Sequence, residues 1–417
     1  MNFLVINIKE LIQVEQKSHL KVCGKQMSKL PSIKDAFLYV ESGRIMGFGS
    51  MKDFNLKRER YYSMSSKIID ANSKSILPTW CDSHSHIVYA GSREKEFVDK
   101  IKGFSYEEIA KRGGGILNSV KQLQKTSEED LYEQSMLRLN EVIKLGTGAI
   151  EIKSGYGLNT ESELKMLRVI RKMKENTCAK IKATFLGAHA FPIEFKDDKE
   201  GYIDLLINEM LPIIAAEDLA DFIDVFCDDG FYTTEQTERI LMAGIKHGLR
   251  PKIHANELAK SGGIQVGVKY GALSVDHIEY TSDDEIKCLL DSDTMPTILP
   301  GAAFFLNMLL SPARKMIDAG LPVALASDYN PGSSPSGNMN LIVSMACINY
   351  KMLPEEAINA ATINSAYAMG VSDKLGSIAL GKDANFIITK PISSYEYIPY
   401  SFGNNVIESV YLKGQVQ

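Results

Sequence analysis

The sequence predicts an α/β protein: a (β/α)8 barrel carrying a small β-sandwich-like module built from both chain ends. Three observations lead there. Eight short apolar runs, ending near His86, Lys153, His189, Cys227, Asn256, Glu279, Pro300 and Asp328, are separated by helix-length segments. Eight βα units in about 300 residues are the repeat of a closed parallel barrel. Both chain ends instead carry short Val- and Ile-rich runs broken by Gly and Ser, and neither has enough strands for a sheet of its own. Five of the seven histidines fall at the ends of apolar runs, where a parallel barrel gathers its functional side chains.

The elements follow in order. Residues 3–6 read as a strand, and residues 36–40 and 45–48 as a hairpin about Ser42-Gly43-Arg44. Residues 376–388 and 406–412 read as closing strands, so residues 1–75 and 370–417 are expected to pair into one module around a barrel of residues 76–369. Within the barrel, residues 131–145 show helical periodicity (Leu131, Met136, Leu139, Val142, Ile143) and stop at Gly146. Residues 161–173 do the same through Leu164, Leu167, Val169 and Ile170. A doubly wound open sheet is the competing fold, but it usually shows a glycine-rich loop after its first strand, and Gly113-Gly114-Gly115 is not so placed.

Composition narrows the function classes. The chain has 417 residues, 45% hydrophobic and 24% charged, with a net charge of -5. Such a surface, without a basic cluster, argues against nucleic acid as a partner. No apolar run reaches the ~18 residues of a membrane span. The N-terminal residues lack the pattern of a secretory signal. Six scattered cysteines without a CxxC pair suggest reduced thiols and a cytoplasmic location.

The chemistry concentrates at the ends of the predicted strands. His84 and His86 lie two apart on an extended segment, so both side chains face one point, which suits a divalent metal. His189, His254, His277 and Asp328 end other strands, and Glu257 follows His254 by three residues. Asp328 could equally open the turn Asn330-Pro331-Gly332. His19 and His247 sit in polar contexts and read as surface residues.

His84-Ser85-His86, His254, His277 and Asp328, with the C-terminal run of residues 381–388, resemble the amidohydrolase superfamily. Within it, residues 84–93, 153–158, 185–189 and 327–335 are similar to the imidazolonepropionase family. Ser85, Tyr329 and Asn256 depart mildly from its usual residues. Strand four has no lysine to be carbamylated, and Lys153 lies on strand two, so one metal ion is expected and Lys153 is given a supporting role.

The resemblance implies hydrolysis of 4-imidazolone-5-propanoate to N-formimidoyl-L-glutamate, in histidine degradation. It implies one Zn2+ or Fe ion held by His84, His86, His254 and Asp328, with a homodimer as the assembly. Glu257 becomes the general acid/base. His277 hydrogen-bonds the attacking water or the oxyanion, with a fourth histidine ligand as its alternative role. Arg93 becomes the clamp for the propionate, since guanidinium matches carboxylate. Tyr156, His189, Glu257, Asn330, Gly332 and Ser333 complete the substrate contacts, the loop amides of the last three being open to a carboxylate. A cytosine- or guanine-type deaminase would share the same ligands, and an inert barrel used for binding is the reading outside enzymes.

Overall fold

The computed structural model describes residues 2–104, 108 and 114–417; Gly113 of the triple glycine lies outside them. Eight parallel strands run in chain order around the central sheet: β1 (Trp80–Asp82), β2 (Thr147–Lys153), β3 (Lys180–Ala188), β4 (Phe222–Cys227), β5 (Arg250–Ala255), β6 (Ser274–His277), β7 (Met295–Ile298) and β8 (Ala324–Leu325). Each ends where the sequence placed it, within a few residues. Sequential neighbours pair throughout, as βα units require.

The ring closes just beyond the ends of β1 and β8. There Ser85 bridges Tyr329 in parallel, Asp328 N donates to His84 O at 3.0 Å, and His86 N donates to Tyr329 O at 2.9 Å.

The helices explain themselves locally. Helix Glu128–Lys144 starts at Ser127, whose hydroxyl accepts Asp130 N at 3.1 Å, and three acids occupy its first turn. Its apolar stripe buries Leu131, Leu139, Val142 and Ile143. It ends before Gly146, at φ +99°, a conformation glycine adopts without strain. Helix Thr160–Glu175 is capped by Asn159 and buries the four predicted apolar positions. Stripe after stripe packs on the strands to form one continuous core around the barrel.

The chain ends share a second sheet. Strands Phe3–Ile12, Ser32–Glu41 and Arg44–Ser50 form an antiparallel meander, joined through Ile76–Pro78 to Phe386–Thr389 and Ile407–Leu412. Its own apolar cluster includes Phe3, Ile8, Leu38, Phe386 and Tyr411. Strand Ile76–Pro78, assigned to the barrel from the sequence, is therefore hydrogen-bonded in this sheet. An apolar run alone cannot say which sheet it joins. The switch falls one residue later: Thr79 N donates to Asn385 O, while Trp80 N donates to Gly146 O in the barrel.

Candidate active site

Strand β1 and its extension bring His84 and His86 to the barrel mouth, both buried. His84 Nδ1 lies 2.7 Å from Asp276 Oδ2, on β6. The Asp276 carboxylate accepts a hydrogen bond from Nδ1–H, which leaves Nε2 as a bare lone pair. That Nε2 is 3.2 Å from His86 Nε2, and both are 3.5 Å from Asp328 Oδ1. Four ligands tetrahedral about one ion at about 2.05 Å are separated by about 3.3 Å. The spacing of these three atoms therefore fits a single ion.

His254, on β5, completes the set with His84 and His86. Its Nδ1 lies 3.1 Å from Asp224 Oδ2. Its buried Nε2 has no hydrogen-bond partner among the described residues. An orphaned imidazole nitrogen among three other donors is what an ion would satisfy. His277 forms a second compatible set with His84 and Asp328.

The electrostatics agree. Burial, helped by neighbouring cations, holds His84, His86 and His277 well below the usual imidazole range, and burial brings His189 down to about 3. Neutral imidazoles are the form that binds metal. Burial also pushes Asp328 up to about 7 and Glu257 up to about 8, the latter aided by the charges of Asp328 and Asp228. A divalent cation beside them would supply positive charge that favours their ionised form.

Backbone conformation aims several of these groups. Asn256, His277 and Asp328 have φ of +54°, +77° and +52°, and Ile278 follows at +60°. Asn and Asp tolerate this left-handed region; His and the β-branched Ile do so at a cost of about 1–3 kcal/mol each. Four such residues at three strand ends turn the chain sharply where side chains must converge.

Beneath the histidines lies a charged layer in which Lys153 takes the supporting role expected of it, joined by Glu151, Asp224, Lys252 and Asp276, which were not foreseen. Lys153 Nζ is 2.6 Å from Glu151 Oε1 and 2.7 Å from Asp224 Oδ2. Lys252 Nζ pairs with Glu151 Oε2 and donates to Ser83 O at 2.9 Å. Asp276 is 3.6 Å from Lys153 and 3.7 Å from Lys252. All five are buried, and three carboxylates against two ammoniums leave one net negative charge below the site. The signal was present: Ile150-Glu151-Ile152-Lys153, Ile223-Asp224-Val225 and Val275-Asp276 alternate charged and apolar residues within strands. In a small barrel that alternation points the charges inward.

Above the histidines opens a cavity of about 450 Å³. Arg93, Tyr156, His189, Glu257, His277, Asp328, Asn330, Gly332 and Ser333 all line it. Glu257 Oε2 lies 3.6 Å from His277 Nε2, and Asp228 fixes the start of its loop by accepting Glu257 N at 2.7 Å. His189 stacks on His86 with ring centroids 5.2 Å apart, and its Nδ1 lies 3.1 Å from Gly155 O. Tyr156 packs against both imidazoles.

The loop after β8 differs from expectation in one respect. The amides of Gly332 and Ser333, expected to face a carboxylate, each donate at 2.8 Å to Asn330 Oδ1. The Asx-type turn satisfies its own donors. Glu96 and Lys100, which no sequence motif singles out, also reach the cavity.

Comparison with known proteins accords with this geometry. The amidohydrolase family model matches residues 75–416. An imidazolonepropionase from Flavobacterium johnsoniae is 60% identical, with 99% of each chain covered. One from Christiangramia forsetii is 58% identical over the full length of both, and one from Geobacillus kaustophilus is 40% identical over 98% of this chain and 96% of that protein. Among solved structures, Escherichia coli guanine deaminase superimposes with a TM-score of 0.75 at 15% identity, covering 100% of this chain and 98% of that one, which shows a shared fold. The chain belongs to the amidohydrolase family and, within it, to the imidazolonepropionases.

Proposed function

We propose that the chain hydrolyses the ring amide of 4-imidazolone-5-propanoate to N-formimidoyl-L-glutamate, a step of histidine degradation. The observation that carries this is an ion-fitting cluster of His84, His86, His254 and Asp328 at the floor of a cavity that Arg93 also lines. The first suits water activation; the second suits a substrate bearing a carboxylate arm.

A Zn2+ or Fe ion held by those four residues would supply Lewis acidity and lower the pKa of water at the reacting carbon. The remaining steps belong to the chain. Glu257 takes a proton from the attacking water and returns it to the ring nitrogen as the C–N bond breaks. The hydroxide oxygen stays on the carbonyl carbon, so water is added across the bond and atoms balance. His277 Nε2, beside Glu257, faces the same point and stabilises the oxyanion. Arg93 holds the propionate, and Tyr156 and His189 flank the ring. No helix among the described residues is long and apolar enough to cross a membrane. The six free cysteines support a cytoplasmic location, and a homodimer, testable by sedimentation, completes the reading.

The test is turnover of freshly prepared 4-imidazolone-5-propanoate, followed at its ultraviolet band with and without a chelator. The expected result is chelator-sensitive loss of the band, with N-formimidoyl-L-glutamate as product. Ammonia release from guanine or cytosine by the same sample, without loss of that band, would replace this assignment with a deaminase.

A further inference from the structure

The Arg93 guanidinium does not reach the cavity as a free cation. Its Nε donates to Glu96 Oε2 at 2.9 Å and its Nη2 to Glu96 Oε1. Glu96 is buried and also accepts the Gly115 amide at 2.7 Å. Burial would raise this carboxyl, yet the hydrogen bonds from Arg93 and Gly115 bring it below its ordinary value. Glu96 is thus an ionised, well-coordinated partner that fixes the guanidinium plane through two hydrogen bonds along one edge. Its other terminal nitrogen, Nη1, lies against Gly332, where any side-chain Cβ would collide with it.

An Arg–Glu pair has no net charge. A substrate carboxylate arriving beside it meets an anion as well as a cation, so the attraction largely cancels. A surplus charge has to come from elsewhere. Lys100 lies one turn beyond Glu96 on helix Glu94–Ile101. Its Nζ is 3.5 Å from Glu96 Oε1 and 3.5 Å from Gly332 O, and it lines the same cavity as Arg93. Arg93, Glu96 and Lys100 together sum to one positive charge, which one carboxylate neutralises.

Resting on the function proposed above, we propose that Lys100 is a specificity-determining cation of the substrate pocket, with Glu96 as the positioning residue that presents Arg93. Arg93 gives the geometry of carboxylate recognition; Lys100 gives the net charge. An uncharged substrate arm would gain nothing from the cluster.

The experiment compares Lys100→Met and Lys100→Arg with the parent on 4-imidazolone-5-propanoate and on an imidazolone lacking the propionate. Lys100 is about a third exposed, so the substitutions leave the fold intact. Lys100→Met is expected to raise KM for the propionate substrate about 10- to 100-fold, the range of a lost charge-assisted contact. It should leave kcat within about threefold and KM for the arm-less ring unchanged, and Lys100→Arg should restore KM. In a Glu96→Gln background, where Arg93 is no longer neutralised, Lys100→Met should cost less than about threefold. Equal changes for both substrates, a fall in kcat alone, or an equal cost in both backgrounds overturns the proposal. Calorimetry with imidazole-4-propionate reads the anion site without turnover: weakened binding in Lys100→Met sustains the inference even if the parent turns nothing over, an outcome that would remove only the reaction. Undiminished binding removes the inference alone.

Discussion

Asp276→Asn tests whether the site is organised from beneath. Both oxygens of Asp276 act as acceptors: Oδ2 faces His84 Nδ1 at 2.7 Å and Oδ1 takes the Ser274 hydroxyl at 2.5 Å. An amide can satisfy only one of them with oxygen. If its NH2 turns to His84, the imidazole proton moves to Nε2, the atom that faces His86 Nε2 and Asp328 Oδ1. If it turns to Ser274, the charge that strengthens the Nδ1–H bond is still gone, and Lys153 and Lys252 lose a neighbour. Such a change behind a metal-binding histidine lowers metal affinity about 10- to 100-fold, or about 1.4–2.7 kcal/mol. Zn2+ competition against a chromophoric chelator at pH 7 measures it directly. Asp224→Asn, acting on His254 from β4, serves as a parallel. A dissociation constant within twofold of the parent for Asp276→Asn would refute the tautomer argument.

Further outcomes follow from the cavity. Glu257→Gln should lower kcat at least 100-fold with bound metal unchanged, read by steady-state kinetics beside elemental analysis; near-normal turnover would take the proton-transfer role from Glu257. Arg93→Ala should raise KM for the propionate substrate about 100-fold and that of an arm-less ring far less, and equal losses would end the clamp assignment. In metal-free protein, burial raises Glu257 to about 8, above its unfolded value. Its contribution is therefore fully present below about pH 4.5 and is lost as pH rises through about 8. Glu257→Gln should stabilise the metal-free protein at pH 9 relative to parent more than at pH 5, seen as a larger shift in urea midpoint. An equal shift at both pH values would contradict it.

The barrel was legible because its signal is repetitive: apolar runs with polar ends recur along the chain, and each strand's last residues are chemically unlike its interior. His84, His86, His254, His277 and Asp328 stood out for that reason. Glu151 and Asp224 did not, because a single charge inside an apolar run looks like a solvent-facing residue until its strand is known to lie in a closed ring. Ile76–Pro78 was misassigned for a related reason, since pairing partners are tertiary facts. Glu96 and Lys100 escaped because helix Glu94–Ile101 carries five charged residues, and only contact geometry separates those facing the cavity from those facing water.

The closure of the ring through Ser85 and Tyr329 bears on how the protein is made. His84 and His86 lie on one side of that seam and Asp328 on the other, with most of the chain between them. Bringing those segments together is among the longest-range steps in assembly, and long-range contacts form late. The full set of four proposed ligands is thus assembled only once the eighth strand has docked. A chain lacking that strand would bring only His84, His86 and His254 of the four proposed ligands together, so tight metal loading would report a completed barrel.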